Sequence, residues 1–463
     1  MPNGSTDDDM PAIAKTVGQW IARLDLDDVP EVVIHAAKRS LIDVVGVTVA
    51  GSATQTADKI RRLILSRSTL GPCMLVGTDK GIGASAGAAF VNGVAAHTLD
   101  FDDTNYAGIV HASAVVFPAT LAAAQYAGCD GKSLLTAFIA GVEVECLLGK
   151  ALGDRLWFQG WWPTGVLGVI GAAVGAARVM GLTAPQIGEA IDIAAGQAIG
   201  MRACFGGGAK PYYAGRAAQA GLDACEAVAH GISGTGHHLD GENGFLALIN
   251  DEAKAPQISN ELGEVYSLIE PGAAFKLFPA CSAVQAAVEA TLAILEDENI
   301  DGADVEKVEC EVTPLVFQSL RYSSPRTITE CQFSMPFTVG CALAFGNFDA
   351  AHLRDEVLAD PSLQSAMKKV VMQESTELAS NPATMKKHPE AAWVTLHRRD
   401  GKQIRRFNAI ATGMPDKPMS DTMLESKFHR CTSVSLSQGQ AGQWLEFIKR
   451  LDGQPTVSHA FSL

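Results

Sequence analysis

Apolar residues recur at three- and four-residue spacing from Pro30 to Gly51, in PEVVIHAAKRSLIDVVGVTVAG. That period turns one face of a helix toward a core. Pro30 suits a helix start and Gly51 a stop. The same pattern predicts helices over 112–127, 131–148, 163–181, 184–198 and 214–230, each bounded by Gly, Pro, Asp or Ser. No fixed period relates them, which argues against a solenoid. Up to about residue 265 the chain reads almost entirely as helix.

The pattern changes near residue 266. AFKLFPACSAVQAAVEATLAILED predicts one more helix behind an entry loop, and VEKVECEVTP alternates as a strand does. AAWVTLHRRDGKQIRRFNAIA predicts a β-hairpin turning at Asp400-Gly401. From about Pro418 the helical period returns and runs into QAGQWLEFIKRL. The expected fold is therefore mainly α. Both chain ends, 1–266 and 411–463, form a large all-helical domain, and a smaller α+β lid domain is inserted at 267–410. A cleft between two such domains is a usual place for a small-molecule site.

Composition sharpens this outline. Hydrophobic residues make up 47% of the 463 and charged residues 19%, an excess that large cores or an oligomer interface absorb. Aromatics stay at 6% while Ala and Gly abound, which favours closely packed helices over a β-sandwich. A net charge of -15 argues against nucleic acid and anionic membrane as partners. A few local lysines still suffice to receive an anionic substrate. Ten cysteines without a CxxC pair read as reduced thiols in a cytoplasmic setting, neither a disulfide framework nor a zinc ribbon. MPNGSTDDDMPAIAK shows neither the basic nor the apolar region of a signal peptide. PTGVLGVIGAAVGAARVMGL, 163–182, is interrupted by Arg178 and reads as a buried helix, not a membrane span.

Two motifs fail their structural requirements. GASAG, 83–87, matches GxSxG, but TDKGIGAS before it is turn chemistry where a nucleophile elbow needs a strand. Ser85 is expected to cap the helix that follows. FGGGAKPYY lacks the GxxxxGK[ST] spacing of a phosphate loop, and no GxGxxG follows a strand. With these signatures missing, no cofactor is expected.

HTLDFDDTNYAGIVH, 97–111, gathers three aspartates and two histidines within an otherwise apolar region. One or two of Asp100, Asp102 and Asp103 are expected to cap the helix near Ala112 or to bind loop amides. His111, at a helix N-terminus, has its protonated form disfavoured by the dipole and is poised to accept a proton. A metal reading needs three or four ligands in closed geometry, which this segment can supply in principle, but no metal is expected. Lys210, on the glycine-rich loop, and Lys276, among apolar neighbours in AAFKLFPAC, stand where desolvation of an ammonium is costly. Each alone reads as a snorkelling surface residue. Together they suggest receptors for carboxylates.

At this point the chain resembles the MmgE/PrpD family. The likeness is carried by VPEVVIHAAKRSLIDVVGVTVAG, VNGVAAHTLDFDDT with a following histidine, WPTGVLGVIGAA, FGGGAKPYYAGRAAQAG, KLFPAC and CQFSMPFTVGCAL, in that order. The resemblance implies a helical domain with an α+β lid, a homodimer, no metal or organic cofactor, and a small di- or tricarboxylate substrate bound between the domains. The family's active-site aspartate falls on Asp100, its loop histidine on His111, its glycine-loop lysine on Lys210, its second lysine on Lys276 and its tyrosine on Tyr322. Two positions depart from the family. Trp162 stands where many members have a histidine before PTG, and Cys281 stands where decarboxylases resemble KRFPAH.

Removing a proton beside a carboxylate builds negative charge there, so such a site needs cations and a base aimed at carbon. Lys276, Arg202 and Lys210 are the candidate cations, and Asp102 and Trp162 are candidate substrate contacts. His111 is the candidate base, oriented by Asp100 or Asp102. A donor on the opposite face can come from Lys210, Tyr322 or Cys281. The expected activity is an epimerase of iminodisuccinate type. The alternatives are a 2-methylcitrate dehydratase-like or cis-aconitate decarboxylase-like lyase, and a catalytically silent member that binds a carboxylate or a protein.

Overall fold

The computed structural model describes residues 12–235, 238–240, 243–250, 255–380 and 387–463. Residues 1–11, most of the segment tested for a signal peptide, lie outside the described residues. The fold is mainly α. The expected helices stand at Glu31–Ser52, Ala112–Ala127, Gly131–Leu152, Pro163–Val179, Ala184–Ala195 and Ala209–Ala229. Pro30 occupies the cap position of the first, and Pro163 the first turn of the fourth. Pro163–Val179 is buried from residue 163 to 177, and among the described residues no helix is long and apolar enough to cross a membrane.

Several expectations need correction. The last of these helices begins at Ala209, not at 214, so Lys210 rides on a helical first turn and not on a flexible loop. The early part of the chain also contains extended structure. Leu70–Met74 pairs antiparallel with Gly81–Ile82 around Gly71-Pro72. Buried amides hold this hairpin: Gln125 accepts from the Met74 N–H, and Asn92 accepts from Val76 while donating to the Met74 carbonyl. Ser85 is the first residue inside its helix and donates to Glu226; it does not cap.

Beyond residue 278 a four-stranded sheet forms in the order 370–374, 305–312, 392–398, 403–408. The last two strands are the expected hairpin, with Trp393 opposite Phe407. Val370–Glu374, which the sequence pattern did not mark, adds in parallel to Val305–Val312. Gln285–Asp297 is the expected helix, and the chain closes with Asp421–Thr432 and Gln438–Lys449.

Two apolar cores result. One fills the space among the helices of residues 12–268 and 419–461 and also takes in Phe275. The other draws almost wholly on residues 278–411, joined by Val47, Ala50, Leu99, Phe101 and Cys431. The acidic segment runs along this seam, with Leu99 and Phe101 in one core and Val110 and Ala112 in the other.

A glycine contact sets the site's geometry. Helices Ser85–His97 and Ala209–Ala229 cross where a Cβ on Gly93 would lie 2.8 Å from the Gly215 Cα, and one on Gly215 would lie 2.5 Å from the Phe90 carbonyl oxygen. One turn beyond Gly93 comes His97, and just over one turn before Gly215 comes Lys210. Gly215→Ala is therefore expected to cost about 1–3 kcal/mol by overpacking. Gly442→Ala, which meets open space, should be neutral or stabilising. Urea midpoints of the two variants check this, and equal midpoints would contradict the close crossing.

Candidate active site

The helix Ser85–His97 ends as the chain turns, and Asp100 takes a left-handed conformation with φ 48°. Asp tolerates this region better than most residues. The turn lets both the carbonyl and the carboxylate of Asp100 meet Lys276, whose Nζ donates to them at 2.7 and 2.5 Å. The other carboxylate oxygen accepts from Lys210 Nζ at 2.6 Å. All three side chains are buried. Burial alone would push the Asp100 carboxyl up, but Lys210 and Lys276 hold it well below the usual carboxylate range. Burial likewise opposes the charge on Lys276, and Asp100 more than restores it.

Lys210 also donates to His97 Nε2 at 2.8 Å, and His97 Nδ1 faces Asp102 at 2.8 Å. An ammonium has three protons. Two of those on Lys210 are committed, while the rings of Trp162, Phe205 and Phe333 surround it at 5.2–5.4 Å. Trp162 also stacks on His97, centroids 5.1 Å apart. Burial pushes Asp102 up, yet the His97 ring N–H it accepts, with Lys276 behind it, keeps it below the ordinary carboxylate range.

His111 caps the N-terminus of Ala112–Ala127 by position, and its backbone N–H donates to Thr164. Its Nδ1 lies 2.7 Å from the Asp103 carbonyl. A carbonyl only accepts, so Nδ1 carries the ring proton and Nε2 keeps its lone pair. Burial, then Lys276, lowers the His111 pKa well below its usual value, so the ring is neutral. His111 holds the cap position without a side-chain cap, and the Asp103 carboxyl accepts from the Ser113 hydroxyl, with burial pushing it up to about 7. Thr104–Asn105 pairs with Ala273–Ala274, which steadies the loop carrying these groups.

These residues face a cavity of about 40 Å³. Asp100, Thr104, His111, Trp162 and Lys210 line it, as do Cys281, Ser282 and Glu390 from the second core's side of the chain. Burial pushes the Cys281 thiol up to about 12. Three expected site residues stand behind these walls. Lys276 and Asp102 act on lining groups. Tyr322 donates from its hydroxyl to the Phe205 carbonyl and packs on Gly206, where φ is 81° and a Cβ would strike the tyrosine ring. Arg202 lies apart from the lysines, its guanidinium 4.5 Å over the ring of Trp157.

Sequence reasoning missed His97 as a functional residue, although it stands in the same acidic segment. It also missed Glu390, and the buried pair Asp43–Lys427, 2.7 Å apart, whose lysine donates to the Phe101 carbonyl. Among the described residues, His97, Asp102 and His111 bring donor atoms within 4.8 Å of one another, near enough to share a metal ion. Hydrogen bonds already engage the two Nδ1 atoms, and the Lys210 ammonium faces the remaining His97 nitrogen. That arrangement suits a proton network.

The MmgE/PrpD N-terminal domain matches residues 15–257, and the MmgE/PrpD C-terminal domain matches residues 278–453. The chain belongs to the MmgE/PrpD family. Its relatives include the cis-aconitate decarboxylase of Mus musculus, 24% identical over 457 residues that cover 95% of this chain and 91% of that protein. The cis-aconitate decarboxylase of Homo sapiens is 26% identical over 455 residues, covering 95% and 92%. That of Aspergillus terreus is 29% identical over 217 residues, covering 45% and 44%. In this MmgE/PrpD chain the Trp162 indole covers the His97–Lys210 contact.

Asp100→Asn leaves two buried ammoniums on one neutral amide and is expected to cost about 3–5 kcal/mol. Adding Lys276→Met should recover part of that loss, because it removes one unpaired charge. Denaturation of both single variants and the double variant measures the coupling. Simple additivity would contradict the shared carboxylate.

Proposed function

We propose that the protein is a lyase that removes a proton from carbon beside a carboxylate of a small hydroxylated di- or tricarboxylate and expels water. The observation that carries this reading is His111: neutral, with its Nδ1–H fixed on the Asp103 carbonyl and its Nε2 lone pair left for the cavity it lines. Such a ring starts a reaction by taking a proton. The remaining Lys210 proton serves the substrate carboxylate on which negative charge builds. The decarboxylases among the relatives support lyase chemistry on a small carboxylate. Decarboxylation of an unsaturated tricarboxylate begins with proton delivery to carbon, for which a histidine held neutral is poorly matched. The cavity of about 40 Å³ has room for water between His111, Lys210 and Glu390. The homodimer and the cytoplasmic setting are further expectations from the resemblance and the composition.

Cys281 favours a second reading, an epimerase of iminodisuccinate type. Its thiol remains protonated at the cavity and can return a proton to carbon.

Incubation with 2-methylcitrate, citrate, malate and cis-aconitate in deuterated water, followed by NMR, separates these readings. The expected result is an olefinic product from a hydroxy acid. Exchange without product would favour the epimerase, and carbon dioxide release from cis-aconitate as the dominant reaction would overturn the base-first order. Binding without exchange or turnover would point to a silent member. His111→Ala should lower product formation at least about 100-fold. Because the His111 pKa is depressed, kcat/KM should stay flat through pH 6.5–8 on the base limb and fall only in more acidic solution, where Nε2 takes up a proton. A base limb centred at neutral pH would contradict this assignment.

A further inference from the structure

Glu390 stands just ahead of strand Ala392–Arg398 and lines the cavity. Its two carboxyl oxygens each accept a hydroxyl hydrogen bond, from Tyr106 at 2.8 Å and from Ser282 at 2.6 Å. Tyr106 belongs to the acidic loop, and Ser282 follows Cys281, so the carboxyl is tethered to both sides of the seam. Among the described residues no lysine or arginine forms an ion pair with it. The charged and protic groups around it are Lys276, Asp100, Tyr106, Ser282 and Cys281. Burial raises the Glu390 pKa and so favours the acid form, against the hydrogen bonds from Ser282 and Tyr106 and the charge of Lys276, which lower it.

Water is a poor leaving group as hydroxide, so its departure needs a proton donor close to the oxygen. Cys281 and Tyr106 also line the cavity. Burial pushes the thiol to about 12 and the phenol well above its usual value, so both release a proton reluctantly. The Lys210 ammonium is held by Asp100 and His97. A carboxyl is the strongest acid of the set, and Glu390 is the one placed at this wall.

We propose that Glu390 is the general acid that protonates the departing hydroxyl of the substrate, with Tyr106 and Ser282 as its positioning residues. This assignment rests on the lyase reading above and narrows its substrates to acids that bear a hydroxyl β to the activating carboxylate. In the step, the C–H proton moves to His111 Nε2, and its electron pair becomes the carbon–carbon double bond. The C–O bond breaks as the oxygen takes the Glu390 proton and leaves as water. His111 ends protonated and Glu390 ionised, and proton exchange with solvent resets both.

The test compares leaving groups. Its probes are whichever of 2-methylcitrate, citrate and malate the wild-type protein dehydrates, and the analogue with chlorine in place of the hydroxyl. Chloride departs without a proton. Glu390→Gln should slow water loss about 100-fold or more while chloride loss stays within about threefold. Glu390→Asp, which keeps an acid, should regain part of the water loss. Chloride loss by either variant also shows that its site is assembled. Unchanged water loss in Glu390→Gln would overturn the assignment, as would equal loss of both reactions in both variants. A wild-type protein that eliminates neither water nor chloride would instead overturn the lyase reading itself.

Discussion

Two ammonium groups share one buried carboxylate, and the arrangement of the protein follows from satisfying that charge. Lys210 comes from the first turn of Ala209–Ala229, Lys276 from the strand-like entry to the second core, and Asp100 from the turn between them. An unpaired ammonium at any of these places would carry a desolvation cost of several kcal/mol. Three distant parts of the chain are thus held to one point. The Lys427–Asp43 pair adds a further buried charge contact, fastening helix Asp421–Thr432 to the Phe101 carbonyl of the same loop. Apolar packing fills the two cores, but these ion pairs fix how the loop sits between them.

The same pairing determines the chemistry. Asp100 and Asp102 balance Lys210 and Lys276, so both histidines remain uncharged in a buried environment. A substrate carboxylate entering beside Lys210 adds negative charge to this balanced set. In the proposed reaction it would therefore favour a proton on His111, strengthening that ring as a base. A second ionised carboxylate at Glu390 would add further repulsion, which is consistent with a neutral acid on that wall.

Much of the fold was legible because helical periodicity survives in a chain rich in Ala and Gly. Ala112–Ala127 was predicted to the residue and the 400–401 turn was correctly placed, since period and turn chemistry are local properties. The hairpin at Leu70–Met74 was not legible: its backbone is satisfied by Gln125 and Asn92, side chains distant in sequence. The site divides along the same line. Asp100, His111 and Lys210 stood out by residue type in unusual surroundings. His97 looked like the end of an apolar helix, and its role depends on a glycine crossing that brings Lys210 to 2.8 Å. Glu390 lies in a stretch without motif, and only its hydroxyl partners at the cavity reveal it. Arg202 and Tyr322 had the right residue types, yet one stacks on Trp157 and the other buttresses the glycine loop.

Trp162 limits which wall can supply protons. An indole has no titratable proton near neutrality, so this position offers the substrate an apolar surface. By stacking on His97 and facing Lys210, the ring also keeps water from their contact and strengthens the ion pairing that holds the ammonium in place. Acid chemistry then falls to the opposite side of the seam. There burial pushes the Cys281 thiol up to about 12, which makes it a weak donor. In the proposed reaction a neutral His111 takes one proton, and the proton that must be delivered depends on a carboxyl. Glu390, held by Tyr106 and Ser282 at the cavity wall, is the carboxyl placed to meet that requirement.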